Sequence, residues 1–226
     1  MSDPPTTVRT MTTDHHTTRE SYDTVATDYE KLLRDELAKS PFERAMLGVF
    51  AEQVLDAGGG RVADLGCGPG RITGHLASLG LDICGIDLSP QMVAVARWAH
   101  PRLRFDVGTM TALDFEDGCL AGALAWYSTV HTPLAELPRM FREFHRILAP
   151  GGLLAMAYKV GDESVHLTHA YGHPLDLDVH RFPPDRIAEM LRDAGLVESA
   201  RLVREADGPG TTANTPQAYV LARKPG

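Results

Sequence analysis

The chain has 226 residues, 43% of them hydrophobic, and a formal charge of −8 at pH 7. Such a length suits one domain, expected over residues 20–226, while the acidic balance disfavours nucleic acid, whose phosphates select basic surfaces. The sequence shows neither a run of apolar residues long enough to span a bilayer nor a secretory signal at its start, so we expect a cytoplasmic protein with no membrane partner.

The first residues, 1–19, are rich in Thr, Asp, His and Pro and are predicted to form a flexible tail. From Glu20 onwards apolar residues recur three or four positions apart, which predicts an amphipathic helix, and a second helix is expected after Ser40-Pro41. Strand and helix patterns then alternate from residue 61 to residue 160. This alternation predicts an α/β fold in which helices cover both faces of a parallel sheet.

The last third of the chain interrupts this alternation. Residues 161–182 follow neither the helical nor the strand period, and we predict that they form an irregular insertion acting as a substrate lid. A further helix follows the insertion. The segments 196–205 and 217–225 both have strand character and are expected to pair as a terminal hairpin.

A glycine-rich turn, GCGPG at residues 66–70, follows the first strand pattern and precedes a helix. In a doubly wound sheet such a turn lies at the carboxyl ends of the strands, where nucleotide-like ligands bind against bare backbone. Asp87 ends the next strand, where a carboxylate can accept hydrogen bonds from ribose hydroxyls. The spacing therefore predicts an adenosine-containing ligand.

The charges around the turn favour one kind of adenosine ligand. Arg71 stands where the dinucleotide pattern GxGxxG needs glycine, and no Gly-Lys-Ser/Thr follows as in a P-loop. Asp64, directly before the glycines, suits an ammonium or sulfonium group better than phosphates.

These stretches resemble the class I S-adenosylmethionine-dependent methyltransferases. VADLGCGPG (62–70) is similar to the first motif of that family, GIDLSPQMV (85–93) to its second strand, and FREFHRILAPGGLL (141–154) to the segment entering its fifth strand. SYDTVATDYEKL (21–32) resembles the helix that small members place over the cofactor. The resemblance implies a Rossmann-like doubly wound sheet of seven strands with an antiparallel last strand, S-adenosyl-L-methionine as cofactor and S-adenosyl-L-homocysteine as product.

The resemblance also implies roles for matching residues. Asp87 would bind the ribose hydroxyls, and the carbonyls of Trp126 and Tyr127 would accept the methionine ammonium. The family often places an acid after the third strand, but this chain has Thr109 and Met110, which leaves adenine recognition to a hydroxyl, a backbone group or packing. The remaining implied cofactor contacts are Asp64, Gly66, Gly68 and Gly70 around methionine and ribose, Leu88 and Met92 near adenine, and Tyr22 and Tyr29 above the site.

Several of these residues have a purely structural alternative. Tyr22 and Tyr29 could equally be core residues of an amphipathic helix, and the same holds for Trp126. Asp87 could instead cap the helix that starts beyond Ser89.

Histidines supply the candidate groups for acceptor chemistry. His131 follows the fourth strand at the expected catalytic rim, and we predict that it is the general base. His166, His169, Tyr171 and His173 are predicted to shape the substrate pocket from the insertion. The three histidines could also share a helical face as a metal site, but no carboxylate or Cys completes the set and Pro174 breaks a helix, so no metal is predicted.

The sequence thus predicts a methyltransferase (EC 2.1.1.-) that methylates a small-molecule acceptor on oxygen or nitrogen in specialised (natural-product) biosynthesis. A nicotinamide-dependent oxidoreductase and a non-catalytic cofactor-binding module are the alternatives. Arg71 and the antiparallel last strand disfavour the oxidoreductase. Whether the chain forms a homodimer is left open.

Overall fold

The computed structural model describes residues 15–208 and 215–226. Its helices are α1 (His15–Leu33), α2 (Glu36–Lys39), α3 (Pro41–Asp56), α4 (Arg71–Ser78), α5 (Pro90–Ala99), α6 (Leu137–Ile147) and α7 (Pro184–Asp193), with a short 3₁₀ helix at Thr129–His131. Its strands are β1 (Arg61–Leu65), β2 (Asp82–Asp87), β3 (Arg104–Val107), β4 (Leu120–Trp126), β5 (Leu148–Lys159), β6 (Ser164–Ala170), β7 (His173–His180), β8 (Val197–Arg204) and β9 (Gln217–Arg223).

Seven strands of the described chain form one sheet in the order β3-β2-β1-β4-β5-β9-β8. The first five strands in this order are parallel to one another, whereas β9 runs antiparallel to both β5 and β8. The predicted doubly wound sheet with an antiparallel last strand is therefore confirmed. The terminal hairpin predicted from the sequence is the β8–β9 pair.

Helices cover both faces of this sheet, which explains why its central strand β4 is apolar throughout. On one face, α6 and α7 bury Phe141, Phe144 and Leu191 against the strands, each with no exposed surface. On the other face, α3 and α4 bury Phe50 and Leu76 in the same way. Each such side chain contributes roughly 1.5–3 kcal/mol on burial, so the two layers hold the strand ends in place.

The N-terminal helix begins earlier than predicted. α1 starts at His15, so the expected tail over residues 1–19 is wrong for residues 15–19, and residues 1–14 lie outside the described part of the chain. Its first turns are polar, and Arg19 forms an ion pair with Asp23 one turn later, with 3.6 Å between nitrogen and oxygen. A composition argument based on apolar residues misses such a start.

The predicted irregular insertion at 161–182 is in fact a β-hairpin of β6 and β7. Tyr171 and Gly172 at its tip have φ values of 55° and 83°, as a two-residue hairpin turn of type I′ requires. The strand period is present on β7, where Leu175, Leu177 and Val179 alternate with polar residues, but a bulge between Leu167 and His169 interrupts it on β6. A role as a substrate lid stays a prediction.

The hairpin packs on α1, and the two together are called the cap below. Leu175 and Leu177 of β7 share a small apolar core with Val25 and Ala26 of α1 and with Met92 of α5. This core is separate from the two layers of the main sheet, so the cap is joined to the rest of the domain through α5 and the contacts described below. No helix in the two described ranges has the length and apolar character needed to cross a membrane.

Candidate active site

The glycine turn after β1 is held against the end of β2 by backbone hydrogen bonds. The N–H groups of Gly66 and Cys67 both donate to the carbonyl of Ile86, at 2.7 and 3.0 Å. Gly66 has a φ of 77°, and a Cβ there would lie 2.3 Å from the Cβ of Ser128, so the loop after β4 approaches bare backbone. Only glycine satisfies both conditions at this position.

Asp87 closes the other side of the turn. Its carboxylate accepts a hydrogen bond from the N–H of Gly68 at 2.7 Å through one oxygen and from the N–H of Ser89 at 2.9 Å through the other. Burial raises the pKa of Asp87, and these backbone N–H groups oppose that effect. Because a carboxylate can accept about four hydrogen bonds, Asp87 retains lone pairs for ligand hydroxyls.

Two residues predicted to contact the cofactor do not line the resulting cleft. Asp64 is buried beneath the turn, accepts a hydrogen bond from the Thr73 hydroxyl at 2.6 Å, and has a pKa raised to about 7 by burial. Gly70, with a φ of 81°, begins α4 and backs onto the Phe105 ring. Both support the turn from behind, because β1 directs Asp64 into the protein and the chain has already turned into α4 at Gly70.

The cleft lies at the carboxyl ends of β1, β2 and β4, beneath α1, and encloses about 890 Å³, part of it open to solvent. The predicted residues that line it are Tyr22, Tyr29, Gly66, Gly68, Asp87, Leu88, Met92, Thr109, Met110, Trp126, Tyr127 and His131.

His131 and Tyr22 meet inside the cleft. The Tyr22 hydroxyl lies 2.6 Å from Nε2 of His131, and Nδ1 of His131 lies 2.8 Å from the backbone carbonyl of Asp178 on β7. Since a carbonyl can only accept, Nδ1 carries the proton, Nε2 carries the lone pair, and Tyr22 donates to it.

Burial sets the protonation of both groups. Burial lowers the pKa of His131 to about 4, although the carbonyl of Asp178 opposes the change, so the ring is neutral at neutral pH. Burial also raises the pKa of Tyr22 well above its usual value, which keeps the hydroxyl protonated as a donor. The pair is thus a neutral donor and acceptor under the cap.

The polar side-chain atoms of Trp126 and Tyr127 are occupied away from the ligand space. The indole N–H of Trp126 donates to the carboxylate of Glu43 at 2.8 Å, and its ring stacks on Tyr219. The Tyr127 hydroxyl donates to the side-chain oxygen of Gln217 at 2.6 Å. These residues can therefore offer the cleft backbone groups and ring surface, and for Trp126 the structural alternative describes the indole correctly.

The four predicted substrate residues of the insertion do not line the cleft. His169 is exposed, and His166 pairs with the carboxylate of Asp178 at 2.9 Å on the outside of the hairpin. The hairpin conformation explains this placement, because its tip reaches α1 and its polar residues face outward.

Two of these four residues instead tie the hairpin to α1. His173 bonds the Asp28 carboxylate at 2.9 Å, and the Tyr171 ring meets the Tyr29 ring edge to face at 4.8 Å. Tyr171 thus contacts Tyr29, which lines the cleft, and His173 contacts Asp28 next to it on α1. Neither Tyr171 nor His173 lines the cleft itself.

Sequence reasoning missed another group of lining residues. His15 and Thr18 come from the first turns of α1, and Glu136 and Met140 from the start of α6. Their patterns indicated a tail and an ordinary amphipathic helix, so nothing local marked them. The other lining residues not predicted are Gly108, Thr111, Ser128 and Thr132, of which the last two flank His131 and could have been found from that neighbourhood.

Comparison with known proteins agrees with this geometry. Residues 62–152 match the family model described as a methyltransferase domain. The malonyl-[acyl-carrier protein] O-methyltransferase of Erwinia billingiae is 33% identical over 133 residues, covering 58% of this chain and 52% of that protein. The trans-aconitate 2-methyltransferase of Methylobacterium radiotolerans is 39% identical over 111 residues, covering 47% and 40%. The chain thus spans about half the length of the curated relatives it matches.

One solved structure shows that the likeness in fold extends over nearly the whole chain. The 1,6-didemethyltoxoflavin N1-methyltransferase of Burkholderia thailandensis superposes with a TM-score of 0.70 at 19% identity, covering 98% of this chain and 94% of that one. Its structure contains 1,6-didemethyltoxoflavin and S-adenosylhomocysteine.

The sheet order, the glycine turn and Asp87 together define a class I methyltransferase domain. Residues 62–152 match the methyltransferase-domain family, in agreement with the class predicted from the sequence.

Proposed function

We propose that the protein is an enzyme that transfers the methyl group of S-adenosyl-L-methionine to an oxygen or nitrogen atom of a small molecule. The observation that carries this proposal is one cleft that joins Gly66, Gly68 and Asp87 to the Tyr22–His131 pair. A cofactor site and a proton acceptor thus open on the same space. A place in specialised biosynthesis, a cytoplasmic location and the oligomeric state belong to the proposal only as expectations from the sequence.

The residues of the cleft suit this cofactor. Gly66 and Gly68 expose backbone, and Asp87 has lone pairs free for ribose hydroxyls. Among the described residues that line the cleft there is no Lys or Arg to pair with phosphates, and the carboxylates of Asp87 and Glu136 make the cleft unfavourable for an anionic ligand. When bound, the cofactor would supply a methyl group activated by its positive sulfur.

The protein's main task is then to position the acceptor and remove its proton. Orienting two reactants can lower a barrier by about 7–11 kcal/mol, and a positioned base adds roughly 10²- to 10⁴-fold. The lone pair on Nε2 of His131 is covered by the Tyr22 hydroxyl. We therefore route the proton through Tyr22: its oxygen takes the acceptor's proton while its own proton moves to Nε2.

The cap would exclude water from this transfer. Tyr22 and Tyr29 lie on α1 above the cleft, and the hairpin holds α1 through Tyr171 and His173. The proposed substrate role of the insertion is accordingly indirect, since it positions α1.

The relatives' names point to acceptors that are acids, namely malonyl-[acyl-carrier protein] and trans-aconitate. The matched segments cover only about half of each relative, and the acceptor-side residues found here come partly from α1 and β7. The two named acceptors are therefore candidates to assay, and a flat or partly apolar small molecule is the class that the aromatic rings of the cleft favour.

Calorimetry and a methylation assay test this proposal. S-adenosylhomocysteine should bind and NAD should not; the reverse would support the oxidoreductase. His131→Gln and Tyr22→Phe should each lower turnover about 100-fold or more, and His131→Gln should leave the affinity for S-adenosylhomocysteine nearly unchanged. Binding of S-adenosylhomocysteine without a methylated product across an acceptor library would favour the non-catalytic module, and full turnover in either variant would remove the proton route.

A further inference from the structure

The cleft residues that follow His131 in the chain include one charged group. Its residues are Thr132, Glu136 and Met140, which come from the loop after the 3₁₀ helix and the start of α6. Thr132 and Met140 are buried, with 9% and 1% of their surfaces exposed. Glu136 therefore stands beside buried, largely uncharged surface, and this group of three residues is called the acceptor end below.

The carboxylate of Glu136 has no bonding partner among the residues of 15–208 and 215–226. Glu136 is the N-cap residue of α6, yet its side chain does not cap the helix, and only its backbone groups form hydrogen bonds. Glu143, two turns further along the same helix, is in contrast paired with Arg146 at 2.8 Å. An acid in a ligand cleft without a partner is available to bind a ligand.

The charge of Glu136 acts on His180 of β7, the strand whose Asp178 carbonyl also holds His131. Burial lowers the pKa of His180 on β7, and the carboxylates of Asp178 and Glu136 act in the opposite direction. Asp178 also holds Nδ1 of His131 through its backbone carbonyl. Glu136, Tyr22 and His131 line the same cleft, so one small molecule can contact both the acid and the Tyr22–His131 pair.

We propose that the acceptor end selects an acceptor with an aliphatic amine on an apolar body, the ammonium group binding Glu136. The inference rests on the proposed function, because it names the substrate class of the same cleft. A carboxylate acceptor would face Glu136 and Asp87 with no described Lys or Arg lining the cleft to offset them. An ammonium group would gain a charge-assisted bond to Glu136 while its apolar body contacts Met140.

The test uses matched probes that differ in one group. 2-Phenylethylamine, 2-phenylethanol and 3-phenylpropanoate share a ring and chain, as do tryptamine, tryptophol and indole-3-propanoate. Their dissociation constants are measured by ligand-observed NMR on the full chain saturated with S-adenosylhomocysteine. In the wild type the amines should bind tightest and the acids weakest. Glu136→Gln should weaken the amines about tenfold or more and leave the alcohols unchanged.

Two further variants sharpen the result. Glu136→Lys should reverse the order and favour the acids, while Glu52→Gln, an exposed acid on α3 away from the cleft, should behave as wild type. Acids that bind the wild type as well as the amines, an amine preference that survives Glu136→Gln, or amines that do not bind at all would each overturn the proposal. Absence of S-adenosylhomocysteine binding by calorimetry would instead reject the proposed function itself.

Discussion

The cofactor side of the cleft and its far side are built in different ways. On the cofactor side, the hydrogen bonds of the glycine turn link residues near in sequence, such as the N–H of Gly68 to Asp87, 19 positions apart. On the far side, Tyr22 bonds His131 over 109 positions, and His131 bonds Asp178 over 47. The first side is encoded in a local motif, whereas the second exists only once α1, β4 and β7 have packed together.

Because of this difference, specificity for the cofactor and specificity for the acceptor depend on different parts of one cleft. Backbone turns hold the cofactor side, so few substitutions there are compatible with the fold. Side chains from several segments make up the far side, and these can change without altering the glycine turn. The acceptor can therefore diverge between proteins that share the cofactor, which is why the matched segments of the relatives say little about the acceptor of this chain.

The largest expected effect comes from breaking the cofactor side at Gly66. In Gly66→Ala the new Cβ would meet Ser128 at 2.3 Å while the residue is held at a φ of 77°. The left-handed backbone costs about 1–2 kcal/mol and overpacking a further 1–3 kcal/mol. We expect loss of a cooperative unfolding transition in urea, or a transition shifted far to lower urea, together with loss of S-adenosylhomocysteine binding.

Gly151→Ala is the matched control for this prediction. Gly151 has a φ of 80°, but a Cβ there would meet nothing within 4 Å. Its substitution should cost only the backbone strain and leave ligand binding intact. Equal losses in the two variants would show that strain, and not the close approach of Ser128, governs the turn.

The sequence predicted the sheet and the place of the cleft, but it missed much of the far side. Alternating strand and helix patterns gave the sheet, and the glycines with Asp87 located the cleft, because these features depend on neighbours in the chain. Asp64 belongs to the same motif, but its side chain points inward to Thr73. The spacing of the motif does not reveal this orientation. The β6–β7 hairpin is local, and β7 carries a strand period that the bulge in β6 obscures. The contribution of Glu136 depends on packing between distant segments, for which single-sequence patterns carry no signal.

The pH dependence of the free energy of unfolding should distinguish the two sides of the cleft. The pKa of Asp64 is raised from 3.8 to about 7, so the folded state keeps a proton that the unfolded state releases, and the free energy of unfolding falls as pH rises through this window. The pKa of His131 is lowered from 6.5 to about 4, so the free energy of unfolding falls as pH drops from 6.5 towards 4. Each pKa unit corresponds to about 1.4 kcal/mol.

Urea titrations from pH 4 to pH 8 on two variants measure these contributions. Asp64→Asn should remove the loss of stability at higher pH, and His131→Gln should remove the loss at lower pH. The two variants thus change the pH slope in opposite directions. A common direction for both, or slopes identical to that of the wild type, would contradict the burial that the structure gives these groups.

The smallest effect concerns the joint between the two parts of the cap. The Tyr29 and Tyr171 rings meet edge to face with centroids 4.8 Å apart, and such pairs contribute about 0.5–1.5 kcal/mol beyond area burial. A double-mutant cycle of Tyr29→Leu, Tyr171→Leu and the double variant should give a coupling in this range from urea unfolding. The cycle cancels the strain of placing Leu at position 171, where φ is 55°, because that strain is present in both legs.

Coupling near zero would mean that the hairpin does not hold α1 through these rings, and acceptor binding should then be unaffected by Tyr171→Leu. If the coupling is found, the same substitution should weaken acceptor binding while the glycine turn keeps its affinity for S-adenosylhomocysteine, since only the far side of the cleft depends on how the cap is packed.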